Sequence, residues 1–134
     1  MLTPEKAALP DRKRLSEVAL KAFFNLAEHW QLNRKEAMTL LGLESTSTYA
    51  NWKAGKAGGL PRDTLERISY LLGIHKALRI LFSRHPESVY TWVRKPNADP
   101  LFANRSALDF MLSGQVADLF LVRQHLDSVR GGWA

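Results

Sequence analysis

Apolar residues recur along most of this chain at steps of three and four, the spacing that gathers them on one side of an α-helix. Leu15, Val18, Ala22, Phe23, Leu26 and Trp30 form the first such stripe and predict an amphipathic helix over residues 12–31. Ala37, Leu40 and Leu41 form a shorter second one. Leu65, Ile68 and Leu72 mark the buried face of a helix that opens at Pro61 and that Gly73 is expected to end. A helix over residues 75–82, a short one after Pro86 and a last one over residues 115–129 follow. In the last, Val116, Leu119, Phe120, Leu121, Val122, Leu126 and Val129 exceed what one buried stripe can hold. That surplus predicts either contact with another chain or burial on several sides. No sustained period-two alternation and no Asn-Gly hairpin appears, so the expected class is all-α. Repeats and low-complexity segments are absent from the sequence.

The local punctuation is densest between residues 32 and 55. Asn33 suits a helix N-cap and Glu36, three residues on, completes a capping box, so a helix starts near Arg34. Gly42 stands where a left-handed residue would close that helix at low steric cost. The hydroxyl cluster Ser45, Thr46, Ser47 and Thr48 then suits a second helix N-terminus, and Tyr49 and Trp52, three apart, share one face. Two short helices joined by a tight turn are the arrangement in which the second helix offers its N-terminal residues to DNA base edges. Trp52 is read as core, because an aromatic late in the second helix packs on the first.

The second half carries a different signature. Residues 94–104 form the one long irregular stretch, interrupted by Pro96 and Pro100, and loops of that length in small proteins tend to be functional. Ser106 with Asp109 predicts the start of a short helix to Leu112, which Gly114 breaks. The chain ends in RGGWA, where Trp133 reads either as a leftover or as an anchor for a partner's pocket.

The string LLGL, followed by Thr48, Tyr49, Asn51, Trp52, Lys53 and Gly55, resembles the helix-turn-helix of Xre-type antitoxins, the Xre/MbcA/ParS group that partners RES-domain toxins. After Trp92 and Arg94, the stretch PNADPLFANRSALDFMLSG is similar to that family's toxin-binding segment. The ordered pair spans residues 15–134. Two departures stand out: Met38 occupies a position where many helix-turn-helix sequences carry Ala, and the run from Gly42 to Trp52 is one residue longer than a common spacing.

Composition and charge agree with one compact unit. The 134 residues are 46% hydrophobic, enough for a single core, and contain no cysteine, so disulfides, thiolate metal sites and a Cys nucleophile are excluded. No 18-residue apolar run or signal-peptide pattern appears, which predicts a soluble, cytoplasmic protein with no membrane partner. The net charge of +6 favours an anionic partner. Its distribution does not single out one half: residues 1–67 hold eleven Lys or Arg against eight Asp or Glu, and residues 68–134 hold eight against five. Only local clusters remain, namely Arg34 with Lys35, Lys53 with Lys56, and Arg12, Lys13 and Arg14.

An enzyme is not expected, and neither is a cofactor or a metal. His29, His75, His85 and His125 are scattered without an i,i+4 pair. Asp109, Asp118 and Asp127 recur every nine residues, which turns a helix by about half a circle. GKAGG at residues 55–59 lacks the spacing of a phosphate-binding loop.

The division falls around Gly73: residues 1–73 as the helix-turn-helix part and residues 74–134 as a toxin-binding or dimerisation part. Near base edges we expect Ser45, Thr46, Ser47, Tyr49 and Asn51, with Arg34, Lys53 and Lys56 on phosphates. The resemblance implies an antitoxin that covers the active site of a cognate NAD-consuming RES-domain toxin through Asn97, Asn104, Arg105, Ser106, Asp109 and Trp133. It further implies a homodimer that represses its own operon at operator DNA. Ser106 and Asp109 serve equally well as a helix cap. The alternative is a plain helix-turn-helix repressor whose second half dimerises or senses a ligand.

Overall fold

A computed structural model describes residues 9–131 of the chain. They form seven α-helices: α1 (Leu9–His29), α2 (Arg34–Leu41), α3 (Thr46–Lys53), α4 (Arg62–Leu81), α5 (Pro86–Thr91), α6 (Ala107–Met111) and α7 (Val116–Gly131). A 3₁₀ turn, Trp92–Arg94, follows α5. Extended pairing among the described residues is limited to one antiparallel bridge between Pro96 and Ser106, as the lack of alternation in the sequence led us to expect.

The helix α4 is the hub, packing against α1, α2, α5 and, most extensively, α7. Its inner line of Leu71, Ile74 and Leu78 shares a core with Leu119, Val122 and Leu126 of α7, all nearly inaccessible to solvent. Each such side chain contributes roughly 1.5–3 kcal/mol when fully buried. Trp30, Phe23, Leu40 and Leu41 extend the core on one side, and Phe102 and Met111 on the other. The surplus of apolar positions on α7 is only partly absorbed, since Phe120 and Val129 stay exposed.

Two expectations are corrected here. The first concerns Gly73, which does not end a helix: α4 runs unbroken from Arg62 to Leu81, and no separate helix begins at His75. A Cβ at residue 73 would fall 2.7 Å from Nε of Arg123, so the glycine marks a close approach of α7 rather than a stop. The second concerns α1, which starts at Leu9: Phe23, Leu26 and Trp30 of the expected stripe are buried, but toward the N-terminus the buried line runs through Leu20 and Ser16 and leaves Leu15 and Ala22 half-buried. Val18 is 62% exposed. A hydroxyl explains the rotation: Ser16 Oγ donates to the Arg12 carbonyl at 2.8 Å and accepts from the Leu60 N–H at 2.9 Å. Arg12 in turn donates to the Leu60 carbonyl at 3.2 Å. Both backbone groups of Leu60 are therefore satisfied by α1, which anchors the connection from α3 to α4.

No helix among the described residues is long and apolar enough to cross a membrane.

Candidate nucleic-acid and toxin interfaces

The turn between α2 and α3 is built by local capping. Asn33 Oδ1 accepts from the Glu36 N–H at 2.8 Å while Glu36 Oε1 accepts from the Asn33 N–H at 2.9 Å, a reciprocal capping box. At the other end Gly42 adopts φ 74°, and the Leu43 N–H closes on the Met38 carbonyl at 2.9 Å. The left-handed φ is what favours glycine at this position, and the Arg67 side chain also packs close over it, with Nε 2.8 Å from where a Cβ would lie. Met38 is buried within α2 and leaves this geometry intact. Ser45 then caps α3, accepting from the Thr48 N–H at 3.2 Å and lying 3.0 Å from the Ser47 hydroxyl.

One face of α3 is open and the other is closed. Thr46, Ser47, Ala50, Asn51 and Lys53 recur at three- and four-residue steps and are all exposed. Arg34 and Lys56 are exposed on either side of this short helix in sequence. Tyr49 departs from its expected place at base edges. It is buried, with its ring edge-on to Phe24 at 5.7 Å, because it projects from α3 toward α1. Burial pushes its phenol above the ordinary value, and the nearby Arg34 guanidinium opposes that only in part. Trp52 is half-buried against the same core. Ala50 was missed by sequence reasoning; only the i,i+3/i+4 register with Thr46, Ser47 and Lys53 could have flagged it.

The second region is a compact loop. The Asn97 N–H donates to the Arg105 carbonyl at 3.0 Å, the Asn104 N–H donates to the Asn97 carbonyl at 2.9 Å, and Asn97 Oδ1 accepts from the Asp99 N–H at 2.9 Å. Asn97 is therefore largely a framework residue. Its neighbours Ala103 and Asn104 take left-handed φ values of 51° and 66°, which turn the chain sharply. Asn104, Arg105 and Asp109 are exposed, and the Arg105 guanidinium lies 5.7 Å from the centre of the Phe110 ring. Ser106 departs from the expected contact role: it is buried, and its Oγ accepts from the Asp109 N–H at 3.0 Å as the cap of α6. Trp133 lies outside the described residues.

Arg94 joins the two regions, a role the sequence does not signal. Its Nε donates to the Trp30 carbonyl at 2.8 Å, and its Nη2 donates to the Gln31 carbonyl at 2.7 Å and to Glu36 Oε1 at 3.2 Å. Gln31 sits at φ 57°, the left-handed residue that closes α1. One guanidinium thus ties the end of α1 and the capping box of α2 to the 3₁₀ turn that leads into the loop. Behind this clamp the rings of His29, Tyr90 and His75 stack at 4.4 Å and 5.8 Å. Burial, with Arg79 and His29 nearby, holds the His75 imidazole below its ordinary value.

The class this geometry defines is a helix-turn-helix protein with a second helical region built onto the same central helix. Comparison with known families agrees and goes further: the antitoxin Xre-like helix-turn-helix domain matches residues 10–73, and the antitoxin Xre/MbcA/ParS C-terminal toxin-binding domain matches residues 77–132. The chain belongs to this family of antitoxins, which is not an enzyme family. It is also 50% identical over 114 residues, covering 84% of each chain, to a Sinorhizobium fredii protein called "Uncharacterized protein y4oB". A toxin partner follows from the second domain and a DNA partner from the first.

Proposed function

We propose that this antitoxin neutralises a cognate RES-domain, NAD-consuming toxin by covering its active site, and that as a cytoplasmic homodimer it represses its own operon at operator DNA. Residues 1–73 serve the DNA function and residues 74–134 the toxin and dimer functions. The observation that carries the DNA part is the open face of α3, where small hydroxyl and methyl groups, one carboxamide and one ammonium stand free of the core. Thr46, Ser47 and Asn51 face base edges, since an Asn carboxamide can bond adenine in a bidentate way and hydroxyls accept or donate as the base requires. Ser45 supports them as the cap. Arg34, Lys53 and Lys56 take phosphates. Dimerisation doubles these contacts and matches a palindromic operator with half-sites about 34–36 Å apart.

The RES identity of the toxin is supported by the resemblance of the motif pair, LLGL through Gly55 and PNADPLFANRSALDFMLSG, to RES-partnered antitoxins. Asn104, Arg105 and Asp109 are exposed residues of the second motif and form the polar part of the toxin contact.

Both parts are tested together by purifying the tagged chain from its native host, identifying the co-purified protein by mass spectrometry, and titrating the complex against the upstream DNA of the gene at several salt concentrations. A single RES-like protein, and a preference for upstream over scrambled DNA that persists at every salt, is the expected result. Recovery of no protein partner alongside specific DNA binding would replace this reading with a plain repressor.

A further inference from the structure

The apolar surplus of α7 leads to a groove of about 440 Å³ between the last turns of α4 and α7 and the 3₁₀ turn. Its apolar lining comes from Ile80, Leu81 and Phe82 at the end of α4, Leu126 and Val129 of α7, and Trp92. Two of these side chains are open to solvent to an extent unusual for their type, Ile80 at 48% and Val129 at 36%. Its polar borders are Asn97, His125 and Arg130. Asn97 is pinned by the loop's own backbone pairing, and His125 packs its ring edge-on to Phe102 at 5.4 Å with Nδ1 3.9 Å from an Asp99 carboxylate oxygen.

We propose that this groove is the anchor site for the toxin, which inserts a large apolar side chain between Ile80 and Val129. The assignment rests on the antitoxin reading above. What selects the toxin as occupant is continuity: every residue of the groove lies within the segment matched by the family's toxin-binding domain, and Asn97 joins the groove to the exposed loop at Asn104 and Arg105. The chemistry of the inserted residue follows from the borders. Asn97 offers its side-chain N–H donors, while the guanidinium of Arg130 lies 3.7 Å from the Asp127 carboxylate, so the apolar anchor is flanked by a carbonyl of the toxin that the Asn97 carboxamide can reach. Buried anchors of this kind, in a preformed pocket with a polar rim, carry most of the affinity of protein interfaces. The polar loop then sets register while the groove holds the partner.

The test uses the full chain and the purified toxin encoded in the same operon, with binding measured by calorimetry for wild type, Ile80→Glu, Val129→Arg and, as a control, Phe120→Asp. Phe120 is an exposed apolar residue of the same domain that lies outside the groove, edge-on to Tyr70 at 5.8 Å. We expect at least about thirtyfold weaker binding for each groove variant. The control should bind as wild type does, and all four chains should share one melting temperature and one affinity for DNA. Wild-type binding that survives both groove substitutions would overturn the groove while leaving the antitoxin reading in place. Failure of wild type itself to bind the toxin would overturn both. Conversion of a dimer to a monomer by Ile80→Glu, seen by light scattering, would reassign the groove to a second copy of this chain and overturn the proposal.

Discussion

Ser16→Ala is the substitution whose outcome most directly tests how α1 is seated. The Ser16 side chain is wholly inaccessible and its Oγ is the acceptor for the buried Leu60 N–H. Removing it leaves that N–H without a partner, which costs about 1–3 kcal/mol. The other bond, to the Arg12 carbonyl four residues earlier, runs along the helix and contributes little net. Alanine recovers up to about 0.5 kcal/mol in helix propensity. The net expectation is a loss of about 0.5–2.5 kcal/mol, or about 2–10 °C at roughly 4 °C per kcal/mol for a chain of this size. Val18→Ala is the companion. Were Val18 in the core, as the hydrophobic stripe implies, losing two methyl-sized groups would cost about 1.6 kcal/mol. At 62% exposure it should cost nothing and gain a few tenths in propensity. Urea unfolding monitored by far-ultraviolet circular dichroism reads both. A Ser16→Ala protein as stable as wild type, or a Val18→Ala protein destabilised by more than about 1 kcal/mol, refutes this seating of α1.

Arg94→Ala should lower stability by about 1 kcal/mol, the low end for three bonds because the side chain is 39% exposed. Arg94→Lys should recover less than half of that in urea titrations, since one ammonium does not span the two carbonyls and the carboxylate. Full recovery by lysine would argue against the clamp. The His75 imidazole is held below its ordinary value in the folded chain, so on acidification the unfolded chain takes up the proton first. Stability should therefore fall as pH drops below about 6.5, a fall that His75→Phe removes and that thermal melts across pH 5–8 record. Asn51→Ala should cost about 1–3 kcal/mol of operator affinity and relax sequence preference, and Lys53→Ala should reduce the salt slope by about one. Tyr49→Phe should leave operator affinity unchanged in the same gel-shift titrations, because the ring faces Phe24; a loss there would return Tyr49 to the DNA surface.

Much of the fold was legible because its signals are local. The capping box at Asn33 and Glu36, the left-handed Gly42, the Ser45 cap and the Ser106–Asp109 start each involve residues within one turn of one another, where backbone geometry follows from the side chains nearby. Asn33, Gly42 and Ser106 stand where the sequence places them, and the cap of α3 is Ser45, the first residue of the expected hydroxyl cluster. The candidate sites were legible as segments and less so as individual residues. Tyr49 and Ser106 carry groups that suit recognition, but a hydroxyl within a binding segment can equally face inward, and both do.

What the sequence determined by itself is therefore the helical class, the turn between α2 and α3, the cap of α6 and the family resemblance carried by the two motifs. What only the tertiary structure decided is every feature that depends on a distant partner. Gly73 lies inside α4, where Arg123, fifty residues later, packs its side chain over it. The face α1 buries near its start includes Ser16 and not Val18, because the Ser16 hydroxyl accepts from the N–H of Leu60, forty-four residues away. Arg94 becomes a clamp because the carbonyls of Trp30 and Gln31, left unpaired at the end of α1, come within its reach. Local hydrogen bonds are specified by short stretches of chain; backbone groups such as the Leu60 N–H and the Trp30 carbonyl find their distant side-chain partners only once the helices are packed.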